Sequence, residues 1–187
     1  PSSKHRRCMP TPQPATPLHY RIEPADLHAH LFHVTLTIAQ PAAQQRVALP
    51  VWIPGSYMVR EFAKNLQNLR AGQGRRSVPV QQLDKTTWQV DATPGKPLVL
   101  RYAVYALDNS VRTAWLDASR GFFNGTSLCL QVAGQETLPH TLELVSTRAT
   151  ASWHVATGLP AVATNTHGFG SYLADDYDAL VDHPFEL

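Results

Sequence analysis

Residues 30–38, HLFHVTLTI, set apolar Phe32, Val34, Leu36 and Ile38 against polar His33, Thr35 and Thr37. Successive side chains of a strand leave opposite faces, so this two-residue period describes a strand with one face in a core and the other toward water. Shorter runs of the same kind occupy residues 46–52, 78–83, 87–90, 98–107, 126–132, 141–145 and 153–156. Breaker clusters such as Ala92-Thr93-Pro94-Gly95 and Gly72-Gln73-Gly74 separate them. Many short strands at this spacing predict an all-β fold, an antiparallel β-sandwich or an open barrel, with one or two short helical turns. One helical signal is the Phe62, Leu66, Leu69 stripe, which fits a short helix or a helical turn running into a strand. The other is Asp175 or Asp176, placed to cap a turn through Tyr177, Leu180 and Val181 that Pro184 ends.

The 187 residues suffice for one core, and 43% apolar with 16% charged residues describe a globular chain. A net charge of +2 gives no reason to expect nucleic acid or an anionic membrane as partner. Residues 1–17 carry Pro10, Pro12, Pro14 and Pro17 and no apolar h-region, so they read as a disordered leader ahead of a single domain over 18–187. Cys8 lies in that leader and Cys129 in an apolar run, contexts too different for a structural disulfide. Unpaired cysteines and the missing export signal point to a cytoplasmic protein, or a periplasmic one if a signal has been removed.

Common hydrolase signatures are missing: there is no His-Glu-x-x-His, no Gly-x-Ser-x-Gly, no phosphate-binding Gly-rich loop and no Cys-x-x-Cys. His28 and His30, two apart at the start of the clearest strand, would share a side and could chelate one zinc ion, but a structural site needs four ligands. Hydrogen-bonded rim histidines are the plainer reading. Asp108 to Arg112 reads as a turn, with Arg112 able to pair with Asp117. Asn124-Gly125, between Phe122-Phe123 and Thr126-Ser127-Leu128, is a hairpin-turn signal, which explains the Asn-Gly-Thr sequon better than glycosylation does. Residues 49–65, LPVWIPGSYMVREFAKN, do not alternate; Pro54-Gly55 suits a type II turn. Trp52 and Tyr57 there either cap the end of the sandwich or form a contact surface.

Taken together, LPVWIPGSYMVREFAKN, LDKTTWQV, YAVYALDNSVRTAWLD, RGFFNGTSLCL, WHVATGLP and DYDALVDHPFEL resemble, in this order, the N-terminal domain of the glycyl aminopeptidase family of zinc metallopeptidases. The resemblance covers residues 18–187. It implies a three-part parent: an N-terminal β-sandwich, a thermolysin-like catalytic domain holding zinc through His-Glu-x-x-His and a distant Glu, and a PDZ domain. Only the first part resembles this sequence, so the chain is expected to be noncatalytic, with no zinc of its own, and to have the catalytic domain of the same polypeptide and a peptide substrate as partners.

The resemblance also implies roles. Trp52, Tyr57, Met58, Arg60 and Glu61 would dock on the catalytic domain. The loop around residues 120–126 would face substrate through Asn124, Gly125 and Thr126, with Arg112 as a further contact. Two readings stand against this: a free-standing carbohydrate- or peptide-binding module with Trp52, Tyr57, Trp115 and Phe123 as an aromatic platform, and a small metal hydrolase using His28 and His30.

Overall fold

The structure is a computed structural model that describes residues 17–51, 61–108 and 113–187. Its strands are β1 (Leu18–Asp26), β2 (Leu31–Ile38), β3 (Gln44–Ala48), β4 (Leu66–Gln73), β5 (Arg76–Val78), β6 (Val80–Gln82), β7 (Thr87–Asp91) and β8 (Leu98–Tyr105). There follow β9 (Ala114–Leu116), β10 (Gly121–Phe123), β11 (Gln131–Val132), β12 (His140–Leu144), β13 (Ala156–Thr157), β14 (Ala161–Thr164), β15 (Gly170–Ala174) and β16 (Phe185–Glu186). Two short helices, α1 (Gly125–Leu128) and α2 (Tyr177–Asp182), complete an all-β sandwich.

An eight-stranded sheet runs in the order β14-β15-β12-β1-β2-β8-β4-β5, and two four-stranded sheets run β13-β16-β10-β9 and β11-β3-β7-β6. The pairs are antiparallel except β1 with β12, which run parallel, as Leu18 opposite His140 and Ile22 opposite Leu144 show. A parallel pair needs a long crossover, and here most of the chain lies between its two strands. The strand pattern that opens the sequence holds: Phe32, Val34, Leu36 and Ile38 are buried, and His33 is exposed. Leu18, Tyr20 and Ile22 of β1, Leu98, Leu100 and Tyr102 of β8, and Val47, Trp88 and Val90 of the β11-β3-β7-β6 sheet join them in one core.

Of the two readings of the Phe62, Leu66, Leu69 stripe, the helical turn running into a strand holds: Phe62–Asn65 is a single 3-10 turn that passes directly into β4. Other local expectations change. Residues 126–132 are not a strand: α1 fills the first part and only Gln131–Val132 pairs, with β3. Asn124-Gly125 is no hairpin turn either, because β10 turns back on β9 before it and Asn124 instead caps α1. His28 and His30 lie between β1 and β2 rather than on a strand, so the shared-side argument fails for them. The α2 expectation stands, with Asp176 as its cap through a 2.7 Å bond from the Ala179 amide.

Candidate functional site

The most elaborately built part of the chain is the segment from Asn124 to Leu130. Asn124 Oδ1 accepts from the Thr126 amide at 3.1 Å and from Thr126 Oγ1 at 2.9 Å, satisfying an amide that the first helical turn would leave open. With its carbonyl occupied by capping, Asn124 keeps only its amide NH2 for any further partner. That side chain is half-buried, whereas Gly125, Thr126 and Ser127 are buried. Gly125 allows the close approach of α2: a Cβ there would stand 3.0 Å from the Leu180 carbonyl oxygen and 3.2 Å from Val181.

From the end of α1, Leu128, Cys129 and Leu130 are fully buried, and their three consecutive carbonyls each accept from a tyrosine of a different element. Tyr102 of β8 donates to Leu128 at 2.6 Å, Tyr177 of α2 to Cys129 at 2.7 Å, and Tyr20 of β1 to Leu130 at 2.6 Å. Tyr102 also accepts from the Leu130 amide at 3.3 Å. Burial, then the nearby Cys129, raises the pKa of all three phenols, so each remains a neutral donor. These bonds take the place of a strand partner, which is why an apolar run with strand-like composition is not a strand here. Sequence reading places Tyr177 in the α2 turn but misses the hydrogen-bonding role of all three tyrosines; Tyr20 and Tyr102 share the parity of the buried residues of their strands, which is the available signal.

A hollow of about 370 Å³ adjoins this segment, bordered by Pro50, Thr126, Gln131, Tyr177, Val181 and the carboxylates of Asp178 and Asp182. Both aspartates are exposed. Between β9 and β10, Asp117 closes a tight turn: Oδ1 accepts from the Ser119 hydroxyl and amide, both 2.7 Å, and from the Arg120 amide at 2.9 Å, while Trp115 Nε1 donates to Oδ2 at 3.0 Å. The Ser119 contacts lead in holding that carboxyl well below the usual carboxylate range. Arg120 in turn meets Glu186 at 3.5 Å.

Arg112, Trp52, Tyr57, Met58 and Arg60 lie outside the described residues, so the expectations attached to them rest on sequence. Glu61 is exposed and meets Lys85 at 3.3 Å. Phe123 is fully buried, packed edge-on to Phe32 at 5.5 Å and stacked on Phe185 at 4.9 Å, which removes it from any surface platform. Among the described residues no three His, Cys, Asp or Glu side chains converge to hold a metal ion. His30 Nδ1 lies 2.5 Å from the Leu116 carbonyl oxygen and its ring is edge-on to Tyr105, while His28 is exposed. The pair therefore does not fit zinc.

The architecture recurs in solved peptidase structures. An aminopeptidase N family protein from Idiomarina loihiensis is 47% identical, with a TM-score of 0.88 over 90% of this chain and 29% of its own. A two-domain M1 zinc metallopeptidase bound to L-tryptophan shares the fold at 16% identity and TM-score 0.50, over 90% of this chain and 42% of that one. An M1 zinc metallopeptidase from Deinococcus radiodurans gives 17% and 0.48, over 90% and 40%. No curated protein matches. Residues 19–187 match the Peptidase M61 N-terminal domain, and the chain belongs to that family. It spans less than a third of the Idiomarina protein's length.

Proposed function

We propose that this chain is the noncatalytic N-terminal β-sandwich domain of a zinc-dependent glycyl aminopeptidase, docking on the catalytic domain and forming part of the wall of the substrate cleft. The observation that carries the reading is the M61 N-terminal match over residues 19–187, joined to 47% identity with the Idiomarina aminopeptidase N family protein. Zinc and the attacking water belong to the catalytic domain of the parent, whose metal would polarise the scissile carbonyl. This domain's contribution is positional. A wall that excludes internal peptide segments turns a peptidase into one that works from a chain end.

The build of the Asn124 segment supports that role, because a rigid loop places its groups accurately whereas a mobile one does not. Asn124 would act as a hydrogen-bond donor toward a substrate carbonyl, since its own carbonyl is spent on the cap. A substrate ammonium would find its counter-charge instead at Asp178 and Asp182, on the hollow beside Thr126. The buried free thiol of Cys129 fits the cytoplasmic setting that we include in this reading.

The test is made in the full-length parent. Asn124→Asp keeps the cap and replaces the amide donor with a carboxylate, so KM for a glycyl substrate should rise with the domain still folded. Hydrolysis of that substrate by the 187-residue chain alone would overturn the reading. So would full activity in a parent lacking residues 18–187.

A further inference from the structure

The outward face of the eight-stranded sheet, away from α1 and α2, carries an unusual row. The register places Arg21 of β1 opposite Thr35 of β2, Thr35 opposite Arg101 of β8, and Arg101 opposite Arg70 of β4. With strands about 4.8 Å apart, three arginines share one line across four neighbouring strands. They line a depression of about 360 Å³ that His33, Asn68 and Glu23 also border.

Arg70 reaches this face through an irregularity. Between Gln67 and Arg70 the β4–β8 register shifts, and Asn68 has a φ of 56° in the left-handed region. The extra residue reverses the alternation, so that Leu69 and Ala71 turn to the core side while Arg70 is exposed. Bulges of this kind re-aim side chains, and Asn is among the few residues that tolerate the conformation.

The charge is left unbalanced. Glu23 meets Arg21 at 3.1 Å, and among the described residues it is the sole acid bordering the depression. The side chains of Arg70, Arg101 and His33 make no hydrogen bond or ion pair among the described residues. Like charges directly opposite on paired strands repel, so the Arg70–Arg101 pair costs stability unless something negative sits between them. Guanidinium forks match oxyanions in bidentate fashion, and Thr35 and Asn68 add neutral donors at the same place.

The geometry points to this depression as a binding site for a compact multivalent oxyanion, held between Arg70 and Arg101 with Arg21 at its edge. Three arginines against one glutamate leave two positive charges, which suits a dianion. The chemistry admits a free phosphate-type ion or clustered carboxylates of a polypeptide, and it is independent of the peptidase reading.

Titration calorimetry of the full chain at low salt, with pyrophosphate in one arm and tetraglutamate in the other, tests the assignment. Saturable binding of either probe is expected, weakening by roughly tenfold or more in R70Q/R101Q and falling steeply with added salt. The tighter arm identifies the source. R101K, which keeps the charge but loses the fork, should retain part of the affinity, and circular dichroism verifies that each variant is folded. Absence of binding in both arms, or binding that R70Q/R101Q leaves unchanged, would overturn the proposal.

Discussion

Tyr177 donates to the Cys129 carbonyl across 2.7 Å, and this bond ties α2 to the enclosed segment that follows α1. Its neighbours in the set, Tyr102 on Leu128 and Tyr20 on Leu130, come from strands distant in sequence. Three elements thus converge on one stretch of backbone, and the stretch carries the Asn124 loop at its head. The loop's rigidity is a consequence of burial and satisfied carbonyls rather than of α1 itself, which spans only Gly125–Leu128.

Removing one hydroxyl should therefore cost more than a typical hydrogen bond. Tyr177→Phe strands a buried carbonyl, and a loss of about 1–3 kcal/mol is expected in urea unfolding. Tyr102→Phe should be the worst of the three single changes, because its oxygen also accepts from the Leu130 amide. Equal, near-zero effects from all three would show that the carbonyls find other partners and that the clamp is not structural.

The approach of α1 to α2 gives a second test. Gly125→Ala would place a methyl 3.0 Å from the Leu180 oxygen, tighter than packed carbons tolerate against backbone. Moving α2 strains the Tyr177 bond at the same time. Destabilisation of about 1–3 kcal/mol follows, readable as a lowered denaturant midpoint. A variant as stable as the parent chain would mean that the two helices separate freely.

How far the sequence reveals this arrangement depends on the range of the interactions. Phe32 to Ile38 announces its strand because alternation is local, and the Asp176 cap of α2 is equally local. Leu128 to Leu130 misleads because its composition suits a strand, while its actual partners are side chains on β1, β8 and α2. Phe123 looks available for a surface platform until Phe32 and Phe185 close over it. The parallel β1–β12 pair joins Leu18 to His140, a pairing that periodicity cannot express. Motif resemblance recovered the family where physics alone left a generic sandwich, yet the tyrosine clamp emerged from neither.

His140 supplies a pH dependence. Its ring is fully buried in β12, stacked on Tyr20 at 5.9 Å and tilted against Tyr177, with neither ring nitrogen in a hydrogen bond of good geometry. Burial lowers its pKa, opposed in part by the Leu138 backbone and the Asp176 and Glu136 carboxylates. The unfolded chain, with a histidine pKa of about 6.5, accepts a proton that the folded chain refuses. Stability from this site is thus whole above about pH 6.5 and declines as pH falls from there toward the lowered folded-state value. Subtracting the urea-unfolding pH profile of His140→Phe from that of the parent chain should leave a decline of that sign. A difference profile flat between pH 7 and 5 would contradict it.

The thiol of Cys129 offers a direct probe of the same interior. It is fully buried between Leu128 and Leu130, and burial pushes its pKa far above the ordinary thiol range. Thiolate is the reactive form, so the native chain should hide this group twice, by access and by protonation. In a Cys8→Ser variant, an aromatic disulfide reagent at pH 8 should label native protein slower than urea-unfolded protein by a factor on the order of 10³ or more, since reaction waits on opening of the clamp. Tyr177→Phe in that background should speed native labelling, because the lost bond is the one that holds the Cys129 carbonyl. Native labelling as fast as in urea would mean that the segment after α1 opens readily, and the rigid-loop basis for Asn124 would fall with it.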